Sequence, residues 1–152
     1  MQDISTAISV LSALVAALSA LYARWQANTA KRANEIALHD SRRSVYNDLV
    51  RFRAHISARG TDIAEEEVWK LAQVAELAEF YFPADIGARL NEVFESCLKI
   101  LSLNDEWRNA QTFDPVGARE LVKPRHERMR QARDSCFLIG DDIKKYLCIG
   151  KA

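Results

Sequence analysis

Residues that interrupt helices are scarce in this sequence. Its 152 residues include five glycines and three prolines, and no proline precedes Pro83. Because proline breaks the interior of a helix and glycine weakens it, long helices can form. No stretch alternates apolar and polar residues as a half-buried strand does. We therefore predict an all-α protein.

The residue patterns of common catalytic and metal sites are also missing. The three cysteines form no C-x-x-C pair, the glycines form no phosphate-binding loop, and the three histidines lack metal-ligand spacing. No nucleophile stands in a recognised motif. We therefore predict that the chain is not an enzyme and expect no catalytic residue, metal or cofactor. The cysteines should be reduced thiols packed as small hydrophobic residues.

Charge is absent from the first part of the chain. Residues 4–23 contain no Asp, Glu, Lys, Arg, His, Asn, Gln, Gly or Pro. A helix of twenty residues rises roughly 30 Å, the thickness of a bilayer core. A cleaved signal peptide would have a basic segment before this run, whereas Met1, Gln2 and Asp3 precede it. The basic residues follow the run, so the positive-inside rule predicts an uncleaved anchor with an outside N-terminus and a cytoplasmic remainder.

These patterns together predict three parts. A transmembrane helix occupies residues 1–23, and it continues as a juxtamembrane coiled-coil helix over residues 24–59. Residues 60–152 form a small cytosolic helical bundle. Within this bundle we predict one helix after Gly60 that Thr61 or Asp62 caps, and a second over about 84–107. A loop over "AQTFDPVG" and a last helix, broken or kinked at Pro124, complete the bundle.

A heptad series of small residues is the most specific signal in the chain. Starting at Ser9, alternating steps of four and three meet Ala or Ser at ten of eleven positions as far as Ser44. Helix backbones approach closely at such seams, and the lone amide, Asn34, can fix register and oligomer number. We predict self-association into a homo-oligomer, with a tetramer as one candidate. Packing against another helix of the same chain is the alternative. The predicted seam consists of Ala13, Ala16, Ala20, Ala23, Ala27, Ala30, Asn34 and Ala37.

Three serines follow each other at seven-residue intervals beside this seam. Ser5, Ser12 and Ser19 stack on one side of the predicted span. Hydroxyl groups within a bilayer can line a pore, which makes these residues candidates for a lumen. They can equally well bond to carbonyl groups of their own helix. Both interpretations stay open at this point.

A basic cluster lies near Pro124. Such a cluster can hold the phosphate groups of single-stranded nucleic acid or of a nucleotide. The alternatives are a solvated helix face and pairing with the acidic middle of the chain, which runs from Gly60 to Ala110. The candidate phosphate-binding residues are Lys123, Arg125, Arg128, Arg130 and Arg133.

The stretches "LYARWQANTAKRANEIALHDSRRSVYNDLVRFRAHI" and "AEFYFPADIGARLNEVFESC" resemble those of small bacterial proteins with an N-terminal span, a long juxtamembrane helix and a helical cytosolic domain. Some proteins of this plan are transmembrane effectors of anti-phage systems, such as the Hailong-type channel effector. The resemblance implies a bacterial inner-membrane location, a tetrameric channel and control by DNA oligomers.

Two functional hypotheses follow. In the first, the chain is a homo-oligomeric single-pass membrane effector that forms or opens a pore under control of its cytosolic domain. Its partners would be membrane lipid, other copies of itself and a nucleic-acid or nucleotide ligand. In the second, it is a membrane-tethered coiled-coil scaffold or adaptor that docks a protein partner.

Overall fold

A computed structural model of the chain describes residues 2–147, with side chains from residue 13 onward. Within this range the structure consists of four helices and contains no strand. Helix α1 spans Gln2–Arg59, α2 Glu65–Tyr81, α3 Ala84–Phe113 and α4 Pro115–Leu147. The all-α prediction is confirmed.

The predicted inner-membrane location is wrong. Over the residues described, no helix is both long enough and apolar enough to cross a membrane. In the described part of the predicted span, residues 13–23, the apolar run ends at Arg24. The other residues of the predicted span, 4–12, lie outside the part whose side chains are described.

The chain divides into two compact units, residues 1–39 and 40–152. The first unit contains the N-terminal part of α1, and every described side chain from residue 13 to 37 in it is exposed. The second unit contains the C-terminal end of α1 together with α2, α3 and α4. Its hydrophobic core draws residues from all four of these helices.

Helices of the second unit run in alternating directions. Arg42 near the start of this unit donates a hydrogen bond to the Tyr81 carbonyl at the end of α2. The Arg89 guanidinium near the start of α3 pairs with the Asp142 carboxylate near the end of α4, with 2.6 Å between Nη1 and Oδ2. Arg53 of α1 lies over the Phe137 ring of α4 at 3.8 Å. The unit is an up-and-down four-helix bundle.

Apolar residues of the bundle follow heptad spacing on two helices. In α3 and α4 the buried positions advance by alternating steps of four and three residues, as knobs-into-holes packing requires. Each series also contains one polar residue, which lies at the end of the helix pair far from the α2–α3 turn. The α3 series is Ile86, Leu90, Val93, Cys97, Ile100 and Asn104, and the α4 series is Arg125, Met129, Ala132, Cys136, Ile139 and Ile143.

The turn between α1 and α2 depends on Gly60 and His55. Gly60 has a φ of 59°, a left-handed conformation that ends α1, and its N–H donates to the Ile56 carbonyl at 3.0 Å. Helix α2 begins later than the predicted caps at Thr61 or Asp62. Ala64 is its N-cap, and the Ala64 N–H donates to His55 Nε2 at 3.2 Å. Thr61 is engaged elsewhere, because its carbonyl and hydroxyl both accept hydrogen bonds from the α3–α4 pair.

The predicted loop over residues 110–117 is wrong. Helix α3 continues to Phe113, and Asp114 alone separates it from α4. Asp114 caps α4, since its Oδ1 accepts the Gly117 N–H at 3.1 Å. Pro115 occupies the first position of α4, where no N–H is required. Helix α4 then continues through Pro124 to Leu147 without a break.

Two cysteines are buried in the core. Cys97 and Cys136 are free thiols, as predicted, and burial raises the pKa of each to about 12. The pKa of an unfolded cysteine is about 8.5. Between these two values the unfolded chain loses thiol protons that the folded chain keeps. The two cysteines therefore make the fold less stable as the pH rises from about 8.5 towards 12.

We predict that both thiols resist labelling while the bundle stays folded. In a Cys148→Ser variant at pH 8, roughly one buried thiol in ten thousand is ionised, and neither has access to solvent. Dithionitrobenzoate should therefore react only as fast as the chain opens, and two thiols should appear in urea. Rapid reaction of one thiol in the native protein, at the rate of a free peptide thiol, would contradict this burial.

Candidate functional site

The basic cluster of α4 forms an exposed stripe. Its members recur at steps of four, three, four and three residues, which places them on one side of the helix. All of them are exposed. This α4 basic stripe consists of Arg119, Lys123, His126, Arg130 and Arg133.

Acidic neighbours weaken the stripe at two points. The Lys123 ammonium lies 3.9 Å from the Glu127 carboxylate, and Arg133 donates to Asp134 at 3.1 Å. Both pairs are exposed, so each contributes little to stability, and another anion can replace the carboxylate of either pair. Arg119 and Arg130 lie in no ion pair with another described residue. The stripe is therefore an exposed surface with a net positive charge and only weak internal ion pairs.

The other two candidate phosphate-binding residues do not belong to this stripe. Arg128 is exposed, but it projects from roughly the opposite side of α4. Arg125 is only 7% exposed and belongs to the core-facing series of α4. The structure thus brings Lys123, Arg130 and Arg133 together and separates them from Arg128 and Arg125.

Arg125 belongs to a buried polar cluster at one end of the bundle. Its Nε donates to Asn104 Oδ1 at 2.8 Å, and its Nη2 donates to Thr61 Oγ1 at 3.3 Å. Its guanidinium lies 4.4 Å from the centre of the Trp107 ring. Asn104 Nδ2 donates in turn to the Thr61 carbonyl at 2.6 Å. The cluster fastens the α1–α2 turn to both α3 and α4.

The heptad spacing of the sequence indicates this buried cluster, although the charge of Arg125 suggests an exposed position. Arg125 and Asn104 occupy the next heptad positions in the apolar series of their helices. A polar residue in phase with a core faces its neighbour helix rather than solvent. Periodicity therefore identifies the pair, whereas a count of basic residues near Pro124 assigns Arg125 to the surface.

The α1 segment 13–37 has two apolar faces. The predicted small-residue seam from Ala13 to Ala37 is exposed along its described length, and Asn34 on it is exposed too. Large apolar side chains occupy roughly the opposite side of the helix. Trp25, for example, is 62% exposed, and its ring lies 5.9 Å from that of Tyr22. This large-residue face consists of Leu14, Leu18, Leu21, Tyr22 and Trp25.

The predicted serine lining is described at one position. Ser19 is exposed, while the side chains of Ser5 and Ser12 lie outside the described residues. A hydroxyl of the same helix does bond to its own backbone, since Thr29 Oγ1 donates to the Trp25 carbonyl at 2.9 Å. Such a bond satisfies a helical hydroxyl without a neighbouring helix or a lumen.

Helix α2 carries a second exposed apolar surface. Trp69, Leu77 and Phe80 are 53%, 43% and 81% exposed, and they share one side of the helix. The Trp69 ring lies 5.5 Å from that of Phe94, and its Nε1 donates to Glu65 Oε1 at 3.2 Å. Exposed acidic residues surround these side chains, so the surface combines apolar contact with negative charge. The acids are Glu65, Glu66, Glu76 and Glu79.

One cavity of about 560 Å³ lies where the α1–α2 turn meets α3. Basic and acidic groups both line it, so its charge selects no class of ligand. Across the described residues, no group of three His, Cys, Asp or Glu side chains could hold a metal ion. The basic and acidic lining residues are His55, Arg59, Asp62, Glu65, Asp105 and Arg108.

No protein-family model, curated protein or solved structure matches this chain. Its functional interpretation therefore rests on the surfaces described above.

We predict that Asn104 stabilises the bundle through its buried hydrogen bonds. Asn104→Leu removes the acceptor of Arg125 Nε and the donor to the Thr61 carbonyl, which leaves buried polar groups unpaired. The free energy of unfolding should fall by about 3 kcal/mol. Asn109→Leu, at an exposed position of the same helix, should change it by less than about 0.5 kcal/mol. Urea unfolding followed by circular dichroism measures both. Equal stability of the two variants would mean that the cluster contributes nothing.

Proposed function

We propose that this protein is a self-associating helical adaptor, in which the α1 segment 13–37 assembles several copies and the four-helix bundle docks a protein partner. The observation that carries this proposal is the complete exposure of the segment's described side chains, large apolar ones included. The pore hypothesis depended on a membrane span, so we take the scaffold alternative forward, without its membrane tether.

The hydrophobic effect supports self-association. Burying a large apolar or aromatic side chain contributes about 2 kcal/mol, and the large-residue face offers five such side chains within twelve residues. In water this face drives association more strongly than the small seam, because alanine offers little area. The small seam instead lets backbones come close.

The two faces also bear on the number of copies. They lie on roughly opposite sides of the helix, so one neighbouring helix cannot cover both. Each helix would need a neighbour on either side, which favours an assembly of more than two copies. Asn34 lies on the small seam, where a buried amide would select register.

The surface of α2 supports the second half of the proposal. Phe80 and Trp69 project into solvent between glutamates, and aromatic residues of this kind dominate the binding energy of interfaces. A basic amphipathic helix suits such a surface, because its apolar residues cover the rings while its lysines or arginines meet the glutamates.

We predict that substitutions on the two faces of α1 alter assembly differently. Leu18→Ser combined with Leu21→Ser removes the main driving force, so the oligomer mass should fall towards the 17.2 kDa of one chain. Ala23→Leu combined with Ala30→Leu keeps apolar area but separates the backbones, so the mass should change to another oligomer. Light scattering after size exclusion measures both.

Gln26→Ser is the matched control, because Gln26 lies between the two faces. Its mass should equal that of the unmodified chain, and circular dichroism should show the same helicity for all variants. An unmodified chain that stays monomeric at 100 µM would refute self-association.

The α4 basic stripe favours a second candidate function, the binding of single-stranded nucleic acid or of a nucleotide. Five cationic or titratable side chains extend along about 21 Å of one exposed helix face. Arginine and lysine at such spacing contact successive phosphates without reading bases. Several copies in one assembly would strengthen weak single sites.

We predict that reversing two charges in the stripe abolishes this binding. Lys123→Glu combined with Arg130→Glu should remove binding of a labelled oligodeoxynucleotide in fluorescence anisotropy at low salt. Arg128→Glu combined with Arg133→Gln reverses one charge on the opposite side and removes only one from the stripe, so it should weaken binding less. Affinity of the unmodified chain should fall steeply with salt. Undetectable binding at low salt would leave the stripe as a solvated face.

A further inference from the structure

Arg125 is a buried cation without a carboxylate partner. Its side chain occupies a core position of α4, and no described carboxylate lies within the 4 Å of an ion pair with its guanidinium. Buried charges in proteins are normally paired, because an unpaired one loses its hydration without compensation. The usual acidic partner is missing, although Asp62 and Asp105 lie in the same region and pair with Arg108.

Hydrogen bonds of this guanidinium use one side and leave the other open. Nε donates a hydrogen bond to Asn104 and Nη2 donates one to Thr61. The ring of Trp107 lies against the plane of the guanidinium. Nη1 forms no hydrogen bond with any described residue, yet among the described residues no fully buried polar side-chain atom lacks a partner. Nη1 therefore reaches solvent, and the outer edge formed by Nη1 and Nη2 is available to an acceptor from outside.

Nearby charge makes this opening favourable for an anion. Burial lowers the pKa of Arg125 from its ordinary value and the neighbouring charge of Arg108 lowers it further, whereas the Asp62 carboxylate raises it. An incoming anion would relieve the repulsion between Arg125 and Arg108, and would add to the partial compensation that the Asp62 carboxylate gives Arg125.

We propose that the outer edge of the Arg125 guanidinium is a binding site for a single oxyanion, either a phosphate group or a carboxylate. Two parallel N–H donors match two oxygens of either group. The side chain is already fixed by Asn104, Thr61 and Trp107, so binding costs little side-chain entropy. The site is separate from the α4 basic stripe, and it does not depend on self-association.

Thermal unfolding of the full chain tests this site. Phosphate, acetate and chloride are titrated separately at one ionic strength, and oligomer mass is measured under the same conditions so that assembly is followed independently. Phosphate or acetate should raise the midpoint above its value in chloride, by about 4 °C at ten times Kd. A rise with phosphate only identifies a phosphate site, and a rise with acetate identifies a carboxylate site.

Variants assign the effect to Arg125. Arg125→Lys keeps the charge but loses the two parallel N–H donors, and Arg125→Met loses both the charge and the donors. The rise of the unfolding midpoint should therefore shrink in Arg125→Lys and vanish in Arg125→Met. Arg128→Met, three residues further along the same helix and exposed, should keep the full shift. A shift of the same size in Arg125→Met, or none beyond chloride in the unmodified chain, would overturn the proposal.

A second measurement covers the case in which the Arg125 variants fail to fold. With Trp25 and Trp69 changed to Phe, Trp107 is the only tryptophan, and it lies against the guanidinium. Phosphate or acetate should change its fluorescence along a saturable curve, whereas chloride should not. Fluorescence that is indifferent to both oxyanions would overturn the proposal without any change at Arg125.

Discussion

The heptad packing between α3 and α4 is the constraint on which the rest of the bundle depends. The two helices present apolar residues at the same alternating spacing, and Cys97 and Cys136 lie within that contact. This packing fixes the rotation of each helix about its axis. It therefore also fixes which residues face inward at the end of the α3–α4 pair. Asn104 and Arg125 are buried for this reason, although neither is apolar. The turn after α1 is attached to the bundle by the hydrogen bonds that these two residues make to Thr61.

The same phase divides the basic residues of α4 into groups with different roles. Arg125 is buried in the bundle, Arg128 is exposed on one side of α4, and the five residues of the α4 basic stripe are exposed on roughly the opposite side. A bundle can thus carry an internal cation and an external positive surface on one helix. Any ligand of the stripe would meet exposed side chains, whereas a ligand of Arg125 would meet a guanidinium that Asn104, Thr61 and Trp107 already hold.

Sequence patterns predict the all-α class well, because scarce proline and glycine leave few points at which a helix can end. They place the start of α3 correctly after Pro83 and miss its end at Phe113. The residues around Asp114 suggest a loop between the two helices. However, Asp followed by Pro is equally suited to the first positions of a new helix. The membrane span was inferred from the absence of charge over residues 4–23, but over the described residues no helix is both long and apolar enough to cross a membrane. Arg125 was assigned to the surface by its charge, and its position in the heptad series decides otherwise.

The central claim of this account is that the exposed apolar faces of α1 are covered by other copies of the chain. Spin labels on Gln26→Cys in a Cys148→Ser background test it directly, because Gln26 lies between the two faces and the buried thiols of Cys97 and Cys136 should not react. Packed helices lie roughly 10 Å apart, so pulsed dipolar spectroscopy should detect distances between copies below about 30 Å, with modulation from more than two spins. A label that shows no dipolar coupling to another copy at 100 µM would contradict the account.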